Sequence, residues 1–133
     1  MIVVDSNVIF YLQVKGGRTD EARRLYRKDP DWFAPRLWRS EVRNGLALYL
    51  RRRILTIEAA LGTMERAERA MQGRERDVQS APVLRMAADS GCTAYDCEYI
   101  WLAQDLGLPL LTADEELLAK FKSTAVSMRE FCA

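Results

Sequence analysis

Residues 1–10 read MIVVDSNVIF, and the step from Val4 to Asp5 decides how the rest of the chain is read. Ile2, Val3 and Val4 form an unbroken β-branched run with no polar residue alternating between them. Such a run fits a short strand buried on both faces rather than a half-exposed one. Asp5 follows at once, Ser6 can cap a helix, and the apolar pattern resumes at Val8 and continues to about Gln13. A strand that runs straight into a helix delivers a carboxylate to the strand's carboxyl end. In an open parallel sheet, ligands sit at that edge.

Working outward, the same alternation recurs. Gly16-Gly17 ends the first helix, and Thr19-Asp20 opens a second that closes near Asp29-Pro30. Trp32 to Ala34 is a brief strand stopped by Pro35. Leu37 to Arg53 carries Trp38, Val42, Leu46 and Tyr49 at helical spacing, and Thr56 begins another helix reaching about Gln72. Residues 76–79 are a third strand candidate. Ser80 caps a helix with Pro82 in its first turn, and Thr93 opens one that Gly107 terminates after Leu106. Leu108 to Leu111 reads as a buried strand, a short helix follows from about Asp114, and Ala125 to Ser127 is the last strand. No linker, repeat or low-complexity stretch interrupts this order, so residues 1–133 are expected to form one domain. Strands alternating with helices predict an α/β protein, a three-layer α/β/α sandwich around a parallel sheet.

Composition narrows the chemistry. The chain is 49% hydrophobic and 29% charged, ordinary for a soluble globular domain. It has no apolar run near the ~20 residues a membrane span needs. No basic leader with a small-residue cleavage site is visible, so a signal peptide is not expected. Cys92, Cys97 and Cys132 lack zinc-type spacing and fit free thiols in a reduced, cytoplasmic setting. The chain contains no histidine, which removes histidine triads, histidine zinc sites and the usual general base near neutral pH. A metal would have to be held mainly by oxygen, which favours Mg²⁺ or Mn²⁺. Net charge is only +1, yet Arg36, Arg39, Arg43 and the run Arg51 to Arg53 are clustered. They are candidate phosphate contacts, or simply solvated helix faces.

Four acids occupy positions that could meet. Asp5 and Asp114 each follow a strand, and so belong to the same sheet edge. As helix N-caps alone they need no further explanation. Asp96 stands at the fourth place of Thr93-Ala94-Tyr95-Asp96, the pattern of a capping box, but shares a helical row with Ile100 and Ala103. Glu41 lies on the row of Trp38, Gly45 and Leu48, so it needs a partner, and Arg36 could provide one. Two carboxylates ~4 Å apart at an effective dielectric of ~20 repel by about 4 kcal/mol. If the four converge, the cluster must take up protons, recruit a cation or remain splayed. A carboxylate-held divalent ion would suit phosphodiester hydrolysis without a protein nucleophile. Ser6, Asn7 and Thr112 are hydrogen-bonders placed to orient those carboxylates.

The stretches IVVDSNVIFYL, LWRSEVRNGLALYL and TAYDCEYIWLAQDLGLPLLTADEELL together resemble a PIN domain, and more narrowly the VapC-type toxins of toxin–antitoxin pairs. The resemblance spans the chain and maps the family's acids onto Asp5, Glu41, Asp96 and Asp114. It implies a parallel five-stranded sheet, a homodimer, and an Mg²⁺-dependent endoribonuclease held inactive by a small antitoxin protein. Mn²⁺ would be a substitute ion. By the same resemblance Asp5 and Asp96 are direct metal ligands, with Glu41 and Asp114 completing the pocket. Glu116 stands where many members carry a further aspartate.

Two other functions remain open. One is a non-catalytic RNA- or protein-binding module that uses the acids as caps and ion pairs. The other is a phosphate-transfer domain with Asp5 as acceptor, disfavoured because Asn7 stands where such enzymes want a second aspartate.

Overall fold

A computed structural model describes residues 1–133. The elements are β1 (Ile2–Val4), α1 (Ser6–Gln13), α2 (Thr19–Lys28), β2 (Trp32–Pro35), α3 (Trp38–Arg51), α4 (Ile57–Ala70), β3 (Glu75–Arg76), α5 (Ser80–Ser90), α6 (Ala94–Leu106), β4 (Leu110–Leu111), α7 (Glu115–Lys120), β5 (Ala125–Val126) and α8 (Met128–Cys132). The five strands form one parallel sheet in the order β3-β2-β1-β4-β5. β1 is central, with Val3 opposite Phe33 on one side and Leu110 on the other. The expected three-layer α/β/α sandwich forms, and none of its helices is long and apolar enough to cross a membrane.

Why β1 is uniformly apolar is now plain. Ile2, Val3 and Val4 are fully buried because helices cover both faces of a central parallel strand. α6 lies across β1, β2 and β4, and buries Tyr99, Ile100, Leu102 and Ala103. The edge strand β3 carries Glu75 and Arg76 instead, which discourages further strand pairing there.

That edge also fixes α3. Arg39 donates to both Glu75 oxygens, at 2.8 and 2.7 Å, and to Glu68 at 3.1 Å; the Trp38 indole donates to Glu75 at 3.1 Å. The fully buried Trp38 ring and this clamp together set the rotation of α3, and with it the direction of Glu41, two residues on. At Gly45 the helix lies so close to α1 that a Cβ would sit 2.8 Å from the Phe10 ring.

Several boundaries differ from expectation. The cap of α1 is Asp5, whose Oδ1 accepts from the Ser6 N–H at 2.8 Å, while Ser6 is already helical. β3 comes earlier than residues 76–79, because pairing with Ala34 and Pro35 selects Glu75 and Arg76. β4 is confined to Leu110–Leu111, although the Pro109 carbonyl still accepts from Val3 N–H. α8, capped by Ser127, has no counterpart among the elements expected from the sequence.

Candidate active site

β1 and β4 end side by side, and the loops beyond them bring Asp5 and Asp114 to one edge of the sheet. Thr112 joins the two. Its buried hydroxyl donates to Asp5 Oδ2 at 2.7 Å and accepts from the Asp114 N–H at 3.0 Å. Asn7 spans the same gap, donating through Nδ2 to Asp5 Oδ2 at 3.3 Å and accepting from the Ala113 N–H at 3.4 Å. Asp114 caps α7, its Oδ1 accepting from Leu117 N–H at 3.1 Å. The capping role expected of both aspartates is therefore real. In Asp114 it uses one oxygen.

α6 brings in Asp96. Thr93 Oγ1 accepts from the Asp96 N–H at 3.1 Å, but the carboxylate returns no bond to the Thr93 backbone, so only half of the capping box forms. Asp96 is left half-buried with oxygens that no backbone donor takes up. α3 brings in Glu41, also half-buried. Its partner is Tyr99, whose hydroxyl donates to Oε1 at 2.6 Å. Arg36 pairs instead with Asp77 at 2.9 Å, so the ion pair considered for Glu41 does not exist. Sequence alone does not single out Tyr99, because its partner lies 58 residues away. The available signal was a tyrosine three residues after Asp96, on the row facing the core.

The charges of these side chains reach one another. Burial pushes the Asp5 carboxyl from 3.8 up to about 7, the Thr112 hydrogen bond opposes this, and the charges of Glu41 and Asp96 add to it. Asp96 is raised first by burial and then by Asp114, with smaller contributions from Glu41 and Glu116. Glu98, not singled out from the sequence, is raised by burial and by Glu41. None of the seven ion pairs in the molecule involves Asp5, Glu41, Asp96 or Asp114. The protein therefore gathers four acids and provides no cation for them.

Even so, the carboxylates stand apart: no three acidic or thiol side chains come close enough to grip one ion. Two features answer the mutual repulsion of such a cluster, the separation of its side chains and the raised Asp5 carboxyl. The donor set still suits a hard divalent cation. It consists of oxygen ligands only, and at its centre is a carboxylate 5% exposed that lacks a counter-charge.

Glu116 is turned toward Lys120, 3.1 Å away, and accepts from the Cys92 thiol at 3.4 Å; the Lys120 hydrogen bond holds its carboxyl below the ordinary range. Among the candidate phosphate contacts, Arg39 is committed to Glu75 and Glu68, and Arg36 to Asp77. Arg43 and Arg51 to Arg53 are exposed and unpaired. Beside Glu41, a groove of about 220 Å³ between α1 and α3 is lined by Phe10, Tyr11, Leu48 and Tyr49.

The family model for the PIN domain matches residues 2–123. Ribonuclease VapC3 of Pyrobaculum aerophilum is 32% identical over 125 residues, covering 90% of this chain and 94% of its own. Exonuclease VapC9 of the same organism is 52% identical over 40 residues, 30% of each chain. The crystal structure of PAE2754 from Pyrobaculum aerophilum aligns with a TM-score of 0.69 at 24% identity, over 98% of this chain and 92% of that one. At that identity the likeness is one of fold.

Proposed function

The chain belongs to the PIN-domain family, and on that footing we propose that it is a metal-dependent endoribonuclease, the toxin member of a toxin–antitoxin pair. The observation that carries the reading is the buried Asp5 carboxylate, set among Glu41 and Asp96 with no cation from the protein. Asp5 and Asp96 would hold Mg²⁺, or Mn²⁺ in its place, with Glu41 and Asp114 completing the pocket. When bound, such an ion makes water a better nucleophile and offsets the charge that builds on the scissile phosphate.

The chain's own residues do the rest. The Ser6 N–H and the Thr112 hydroxyl hold the two Asp5 oxygens in fixed directions. Asp5 would have to be ionised to hold the ion, whose charge would then favour the carboxylate form. Arg43 and the Arg51 to Arg53 run, being exposed and unpaired, are the side chains free to meet RNA phosphates. Arg36 and Arg39 could join them only by leaving their acids.

The antitoxin partner would lay an apolar segment in the α1–α3 groove, which opens beside Glu41. A homodimer belongs to the same reading and is measured by light scattering.

The test is cleavage of RNA by purified protein with Mg²⁺, with Mn²⁺ and with chelator. Activity is expected only with the ions, and is expected to vanish in Asp5→Asn and Asp96→Asn. Activity that persists in chelator, or in both variants, refutes the proposal. A circular RNA substrate separates internal cutting from end-trimming, a distinction worth making since one relative is named a ribonuclease and another an exonuclease.

The splayed carboxylates favour one competing reading, a non-catalytic RNA- or protein-binding module. Thermal stability against added Mg²⁺ separates the two. A bound ion raises the midpoint by mass action, whereas the module responds only to general salt.

A further inference from the structure

We propose that Tyr99 is a positioning residue, its hydroxyl fixing the Glu41 carboxylate beside Asp5 and Asp96 and so setting the affinity of the acidic cluster for its divalent ion. The proposal rests on reading the acids as a metal site.

Its basis is geometric. Glu41 is carried by α3, and Asp96 and Tyr99 by α6, three residues apart on one helical face. The Tyr99 ring is fully buried, so its hydroxyl has almost no freedom of its own. At 2.6 Å the O–H···O contact is in the short range of hydrogen bonds to ionised acceptors. It is also the only hydrogen bond the Glu41 side chain makes, and no ion pair competes for that carboxylate.

A glutamate has three rotatable side-chain bonds, and its neighbours here all repel it: Asp5, Asp96 and Glu98 each feel its charge. Left untethered, Glu41 would swing away from them toward water or toward the α1–α3 groove that it lines. Tyr99 opposes that movement by holding Oε1, which leaves Oε2 unengaged. One rigid helix then determines two acids, Asp96 by direct attachment and Glu41 through the phenol. Outer-sphere partners of this kind characteristically change metal affinity by about tenfold or more when removed.

Tyr99→Phe removes the hydroxyl and keeps the ring. Mn²⁺ binding is measured by titration calorimetry on RNA-free protein, for wild type, Tyr99→Phe, Glu41→Gln, the double variant and Asp5→Asn. Tyr99→Phe is expected to weaken Mn²⁺ about tenfold and to add nothing in the Glu41→Gln background. In RNA cleavage it is expected to lower kcat at fixed Mn²⁺ with KM unchanged. Should Tyr99→Phe not fold, 4-fluorophenylalanine at position 99 fills the hydroxyl's space without donating, and the same loss is expected.

Wild-type affinity in a folded position-99 variant overturns the proposal, as does an equal loss with and without Glu41→Gln. If Asp5→Asn abolishes Mn²⁺ binding while the position-99 variants bind normally, the metal site stands and only the role of Tyr99 falls. If wild type itself binds no Mn²⁺, the metal reading falls and takes this proposal with it.

Discussion

Replacing Asp5 by asparagine takes one charge out of the least accessible carboxylate of the cluster, and in chelator the variant should be more stable than wild type above neutral pH. Burial, with the charges of Glu41 and Asp96 adding and the Thr112 hydroxyl opposing, lifts the Asp5 carboxyl from 3.8 to about 7. At ~1.36 kcal/mol per pH unit, that displacement is worth about 4 kcal/mol. The sign follows from proton linkage. An acid whose folded pKa lies above its unfolded one takes up a proton on folding. Its favourable contribution is complete below about 3.8 and is lost as pH rises through about 7.

Asparagine stays neutral and avoids that loss. Its amide, however, has a single acceptor oxygen and cannot serve both the Ser6 N–H now held by Oδ1 and the Thr112 hydroxyl now held by Oδ2, which costs about 1–2 kcal/mol. The net gain near pH 8 is therefore about 2 kcal/mol, or roughly 6 °C in melting temperature for a chain of this length. Near pH 5, where Asp5 is protonated in the folded protein, the gain should disappear or reverse. Scanning calorimetry in chelator across this range provides the assay. Saturating Mg²⁺ should invert the order, because only the wild type gains from binding. A shift of equal size near pH 5 and pH 8 would show that Asp5 is already ionised in the free protein, and the reasoning would be wrong.

Other expectations follow from the same geometry. Thr112→Val should push the Asp5 titration higher and weaken Mg²⁺ binding, since it deletes the hydroxyl that favours the charged form; carboxylate NMR titration reads the first effect and calorimetry the second. Gly45→Ala should cost about 1–3 kcal/mol by overpacking against Phe10, and Phe10→Leu should restore part of it, both seen in urea unfolding. Arg43→Ala should lower the salt dependence of single-stranded RNA affinity by about 0.7 in the log–log slope. Arg39→Ala should instead lower thermal stability, because its guanidinium joins α3 to Glu75 and Glu68; a loss of RNA affinity with stability unchanged would reverse that assignment.

Much of this arrangement is legible in the residues because it is local. A β-branched run ending in Asp5, a cap at Thr93 and the glycine at 107 each act within a few positions, and the elements they predict form. The acids were legible for a related reason: strand ends and helical rows say which edge or face a side chain occupies. What the chain order concealed was pairing at a distance. Arg36 is five residues from Glu41 yet takes Asp77, because β3 lies beside β2 and brings its downstream loop within reach. Tyr99 reaches Glu41 because α6 packs on β2, the strand that leads into α3. β3 and α8 were misplaced or missed since two- and five-residue elements carry too little periodicity of their own, and tertiary pairing defines them.

The central claim is that Asp5 and Asp96, with Glu41 and Asp114 beside them, form one site for a divalent ion. Anomalous diffraction from crystals soaked in Mn²⁺ examines this most directly. A peak is predicted within coordination distance, about 2.0–2.6 Å, of carboxylate oxygens of both Asp5 and Asp96. Peaks found only at surface acids such as Glu115 and Glu130, with the four clustered carboxylates unchanged, would contradict it.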